Sequence, residues 1–173
     1  SNAREISRTA APNRPGKHIV RFAETIVMST YLVAFIVGPL EATDPIDVDG
    51  IPMRVIFPKG KQHLTAYALE VGAFCLRHFA NYYGIAYPGD KLDLVAVPDF
   101  AFGAMENLGC VTFREILLLV DPATTTQAEL LNVTDVINHE LAHMWFGDLV
   151  TMKWWNGSKH SPSLYKWSHI RVK

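Results

Sequence analysis

The sequence predicts an α+β fold with a mixed sheet, and three observations predict it. Residues 62–83 and 129–146 each place apolar side chains at helical spacing, so that one face of each segment asks to be buried. Three β-rich runs, at 52–57, 92–97 and 110–120, stand around those segments in a βαββα order. With 173 residues, 49% hydrophobic and 19% charged, the chain carries enough apolar surface for one sizeable core or one and a half small ones.

Taken in order, Ser1-Asn2-Ala3 resembles an expression-tag scar and is set apart from the fold. Residues 4–24 are polar and proline-bearing, and 28–37 (Met-Ser-Thr-Tyr-Leu-Val-Ala-Phe-Ile-Val) read as a strand closed by Gly38-Pro39. Residues 41–50 are acidic and rich in turn formers, which suits a domain boundary or a hairpin connection. The organisation expected is therefore 4–48, 49–156 and a basic tail at 157–173. Within the middle unit, Leu64, Ala68, Val71, Phe74, Cys75, Phe79 and Tyr82 mark the buried face of the first helix, and Gly84 closes it. The second helix stops at Gly147, with Asn132 or Thr134 as the expected cap of its regular part.

A formal net charge of −1 gives no electrostatic reason for nucleic acid or an anionic membrane as a partner. The longest apolar run, 26–38, is interrupted by Ser29 and Thr30 and falls short of the ~20 residues that span a bilayer. No apolar signal region stands behind the first arginines, so the expected compartment is the cytoplasm. Cys75 and Cys110 lie in a helical pattern and beside a strand, which favours two buried thiols over a disulfide framework.

The chemistry is concentrated in His139-Glu140-Leu141-Ala142-His143. Histidines four residues apart share a helical face, so two imidazoles can grip one Zn²⁺ while the glutamate between them reaches the water on the metal. The bare pattern also fits two hydrogen-bonded histidines of no catalytic meaning. Its background here is apolar, with Val136, Ile137, Leu141, Met144 and Trp145, where three polar side chains are costly to bury without a metal as partner. After Glu140 the only acid is Asp148, too close to the helix to serve easily as a distal third ligand.

Gly103-Ala104-Met105-Glu106-Asn107, just ahead of a strand, completes a pair of motifs. Together with the 139–147 segment it closely resembles the zinc aminopeptidases of the aminopeptidase N type, gluzincins whose signatures are G-A-M-E-N and H-E-x-x-H. Pro88, Lys91-Leu92-Asp93, Val97-Pro98-Asp99-Phe100 and the 149–156 segment also look like family sequence, as does 28–35, which resembles the last strand of an N-terminal β-domain. The resemblance implies a truncated thermolysin-like N-terminal subdomain, a mixed sheet plus the HExxH helix, preceded by the remnant of that β-domain. It implies His139 and His143 as zinc ligands, Glu140 as general base, and Gly103, Ala104, Met105, Glu106 and Asn107 as substrate-binding. Glu106 would hold the free α-amine of a peptide, and the backbone of Gly103 and Ala104, on an edge strand, would pair with an extended chain.

The sequence leaves the family pattern at Gly157. The position assigned to the third ligand, a glutamate, is Pro162, which cannot bind zinc, and Tyr165 does not match the family's transition-state tyrosine. The segment carries Lys159, Lys166, Arg171 and Lys173 and no acid. A weakly active or inactive truncated aminopeptidase is the leading expectation. The alternatives are a non-catalytic module that captures peptide N-termini, and an active enzyme in which His160, His169 or a partner chain supplies the missing ligand. Met144, Trp145, Trp154 and Trp155 are expected to be exposed or covered by the tail, and exposed apolar surface is a reason to expect oligomers.

Overall fold

A computed structural model of the chain describes residues 1–151. The elements run β1 (Glu5–Ala10), β2 (His18–Phe22), β3 (Leu40–Ala42), β4 (Ile46–Val48), β5 (Ile51–Pro58), α1 (Ala66–Tyr83), β6 (Leu92–Val97), β7 (Ala104–Met105), β8 (Cys110–Arg114) and α2 (Gln127–His143). The main sheet follows the order β3-β5-β6-β8-β7, with β4 also paired to β5. Its centre is parallel, β5 to β6 to β8, and its flanks are antiparallel, so the mixed sheet expected from the sequence is present.

Strand character follows position in this sheet. β5 alternates, with Met53, Val55 and Phe57 buried and their neighbours partly exposed, as a strand with one covered face should. β6 is buried along almost its whole length, the pattern of a central parallel strand. It therefore buries Asp93, whose carboxylate is paired by Arg54 at 2.7 Å and by Lys91 at 2.7 Å. The α1 helix turns Ala68, Cys75, Leu76 and Phe79 inward, while Phe74 and Tyr82, expected on that face, are about half exposed. They lie at the edge of the stripe, where helical periodicity alone does not separate rim from core. α1 packs on α2, and the Tyr67 hydroxyl meets Thr134 Oγ1 at 2.8 Å across that contact. Cys75 and Cys110 are both buried and free, as read.

Several expectations are corrected. Residues 28–37 form no strand: a 3₁₀ turn, Thr30–Leu32, is followed by extended chain. The alternation survives, with Leu32 buried and Val33, Phe35 and Val37 exposed, yet strand propensity acts only through a hydrogen-bonded neighbour, and no described strand pairs with this segment. Residues 4–24 instead hold the β1–β2 hairpin, a separate two-stranded sheet. The expected boundary near residue 48 runs through one sheet, because β3 and β4 both pair with β5; the 41–50 segment is a hairpin connection. Ser1-Asn2-Ala3 is built into the fold: Asn2 is buried and its amide donates to Leu32 O at 2.9 Å and Leu108 O at 2.8 Å. Gly109, with φ +69°, lies so close that a Cβ there would stand 2.2 Å from the Asn2 carbonyl oxygen.

The run at 110–120 is a strand only to Arg114 and then a 3₁₀ turn, Glu115–Leu117. The α2 cap is Thr126, which forms a capping box with Glu129; Asn132 and Thr134 lie inside the helix. Met144 and Trp145 are buried among Phe79, Tyr83 and Tyr87, with the indole Nε1 donating to Ile85 O at 2.9 Å. Trp154, Trp155, Pro162, Tyr165, the two tail histidines and the basic tail lie outside the described residues.

Candidate functional site

The site forms where the last turn of α2 meets the β7 edge of the sheet. His139 and His143 stand one turn apart with their Nε2 atoms 3.0 Å from each other. Two nitrogens bound to one zinc at ~2.0–2.1 Å with a tetrahedral angle stand about 3.3 Å apart, so the pair fits a shared ion after a small adjustment. His143 Nδ1 is 2.8 Å from Phe146 O. A carbonyl only accepts, so Nδ1 carries the proton and Nε2 presents its lone pair toward His139. Burial and the neighbouring His143 hold the His139 imidazole below its ordinary pKa, against an opposing pull from Glu106, which favours the neutral form a metal needs. Among the described residues no group of three or more His, Cys, Asp or Glu side chains could hold a metal ion.

Glu140 lies between the two histidines in sequence and is buried, with Oε2 lacking a hydrogen-bond partner. Burial first, and then the Glu106 carboxylate, push its carboxyl up to about 8. Glu106 is half-buried and acts on His139, Glu140, Asp148 and Tyr31 together, which locates its carboxylate against the same hollow.

Of the G-A-M-E-N segment, Gly103 is exposed, its carbonyl accepting from Arg114 N at 2.8 Å, and Ala104 and Met105 are β7 itself. β7 is the last strand of the sheet, paired on one side to β8 through Ala104↔Phe113 and Met105↔Thr112, and it lies against α2. Asn107 differs from its neighbours. It is buried, donates to Leu32 O at 3.2 Å and accepts from Thr112 Oγ1 at 3.2 Å, contacts that tie it to the scaffold.

Two residues stand at the site that the sequence reading did not place there. Asp148 is buried with both carboxylate oxygens unpartnered, and burial, Glu106 and Glu140 push its carboxyl up to about 8. Its signal was visible as an acid among apolar residues directly after the helix. Tyr31, from the 3₁₀ turn, donates from its hydroxyl to Gly147 O at 3.3 Å, and nothing in its local pattern announced that contact.

A helix that pairs two histidines thus lies beside the open edge of a mixed sheet, and sequence comparison supplies the family. The Peptidase family M1 domain matches residues 67–161, more than half of the chain, and the chain belongs to that family. It is 48% identical to the puromycin-sensitive aminopeptidase of Caenorhabditis elegans over 156 residues, covering 90% of this chain and 16% of that protein. It is 50% identical to endoplasmic reticulum aminopeptidase 2 of Bos taurus over 135 residues, or 78% of this chain and 14% of the relative. Identity to aminopeptidase M1 of Arabidopsis thaliana is 47% over 137 residues, or 79% and 16%. The chain thus spans 14–16% of the length of these relatives. Among the described residues no helix is long and apolar enough to cross a membrane.

Proposed function

We propose that this chain carries the amine-recognition edge and two of the zinc ligands of a thermolysin-like exopeptidase site, whose reaction is hydrolytic release of N-terminal amino acids from peptides. The observation that carries the reading is the convergence of the two Nε2 atoms at 3.0 Å beside the buried Glu140, with Glu106 facing the same hollow. His139 and His143 would hold the metal, which when bound supplies Lewis-acid activation of water and of the scissile carbonyl. Glu140, a poor ion in its buried setting, is suited to accept a proton from the attacking water and return it to the departing amine nitrogen. The Glu106 carboxylate pairs with the ammonium of the peptide's first residue, and the β7 backbone extends the sheet by one strand of substrate.

Two imidazoles bind zinc far less tightly than three ligands do, so occupancy and turnover are expected to be low. The test is metal content by mass spectrometry on chelator-free protein, with a leucyl reporter assayed on the wild type and on Glu140→Gln. Substoichiometric zinc with weak activity that vanishes in the variant is the expected result; activity that survives Glu140→Gln rejects the assignment. The second reading, capture of peptide N-termini without cleavage, is favoured by Glu106 beside the open β7 edge. A peptide should then bind much more tightly than its N-acetylated twin, and equal binding would remove the reading.

A further inference from the structure

We propose that Tyr31 and Leu32 form a positioning clasp that joins the end of the metal-binding helix to the amine-binding strand, and so sets the aim of His143 and its placement relative to Glu106. The clasp has two arms. On one side the Leu32 carbonyl accepts from Asn107 Nδ2 at 3.2 Å, immediately after Glu106, and from Asn2 Nδ2 at 2.9 Å. On the other side the Tyr31 hydroxyl donates to Gly147 O at 3.3 Å, while Thr151 donates to the Tyr31 oxygen. Leu32 is fully buried, which anchors the turn between the arms.

The Gly147 arm acts on the imidazole directly. Phe146, whose carbonyl receives the His143 Nδ1 proton, is the residue before Gly147. Gly147 has φ +146°, and a Cβ there would come within 3.1 Å of His143 Nδ1 and 3.3 Å of the His143 carbonyl oxygen. The turn is pressed against the ring, so a turn that shifts takes the ring with it. Burial and the nearby Glu106 and Asp148 carboxylates also keep the Tyr31 phenol protonated, and hence a donor. No residue of the 3₁₀ turn belongs to either motif; its contribution is to hold the two motifs in register.

The inference rests on the metal-site reading above, and its test separates the two. Tyr31→Phe keeps the ring and deletes the hydroxyl. Tyr67→Phe is the control, losing a hydroxyl hydrogen bond to Thr134 on the same helix away from the histidines. In the metal-free full chain, ¹⁵N NMR of the imidazoles should show a single Nδ1–H tautomer of His143 in the wild type and in Tyr67→Phe, and a tautomer mixture in Tyr31→Phe. With cobalt(II) as probe, Tyr31→Phe should bind roughly tenfold or more weakly and give an altered visible spectrum, while Tyr67→Phe should match the wild type. An unchanged His143 tautomer in Tyr31→Phe, or an equal loss of cobalt affinity in both variants, overturns the clasp. A wild type that takes up no cobalt would instead reject the metal-site reading, and the tautomer measurement would still decide the clasp.

Discussion

Residues 49–151 and residues 1–38 have comparable shares of apolar side chains and use them in opposite ways. The first region closes on itself: α1 and α2 cover the parallel centre of the sheet, and Phe79, Leu94, Phe113, Ile137 and Leu141 are almost completely buried. The second leaves Val27, Val33, Phe35 and Val37 in solvent and is attached largely by polar threads, namely the Asn2 amide, the Leu32 carbonyl and Arg4 on Asp90. Hydrophobicity states what a segment would gain from burial. Whether it is buried depends on a partner segment with matching geometry.

The comparison can be broken most directly at its strongest point. Phe79→Ala removes a fully buried ring that packs on Trp145 and should cost about 3–5 kcal/mol in urea unfolding. A loss below about 1 kcal/mol would mean that the sheet unit is no better packed than the N-terminal region.

A second perturbation sharpens the site within that unit. The folded Asp148 carboxyl titrates at about 8, above its ordinary value of 3.8, so the fold favours the neutral acid. Its contribution to stability is complete below pH ~4 and is lost as pH rises through about 8. Metal-free wild type should therefore lose stability across that window, and Asp148→Asn should flatten the profile, gaining about 2–4 kcal/mol over wild type at pH 8. Parallel pH profiles of the urea midpoint for the two proteins would disprove this.

Smaller effects follow outward. Thr126→Ala deletes the side-chain half of the α2 capping box and should cost about 1 kcal/mol by the same measurement. Phe35→Ala, on the exposed extended segment, should change stability by less than about 0.5 kcal/mol. A cost near that of Phe79→Ala would show that the segment is covered in solution and would erase the contrast between the regions.

Legibility in the sequence divides along the same line. The 92–97 strand is where its pattern placed it, α1 lies within its expected segment and α2 overlaps its own from 129 to 143, because period and burial agree when an element is packed on one face by neighbours in the same unit. The pairing of His139 with His143 and the strand edge at Ala104–Met105 were legible because each is a local spacing realised on one helix or one strand. Residues 28–37 were misread because alternation describes side chains and carries no information about a backbone partner. Tyr31 was missed for a related reason: its contact with Gly147 spans 116 residues of sequence, and neither end carries a local mark. Asp148 stands in the sequence as an acid close after the helix, and only the folded chain shows that its carboxylate is both buried and unpartnered. The α2 cap was placed too late because the polar residues at 132 and 134 compete with Thr126 in sequence, while the reciprocal Thr126–Glu129 bonds decide it in the fold.

Asn2 imposes an order in time. Its amide reaches Leu108, 106 residues further along the chain, and that contact exists only once β6 and β8 flank Gly109. At roughly 5–20 residues per second, ribosomal synthesis takes on the order of 5–20 seconds to deliver Leu108 after Asn2 has emerged. Throughout that interval the Asn2 amide and the Leu32 carbonyl wait without Leu108 and Asn107, the partners that hold them in the folded chain.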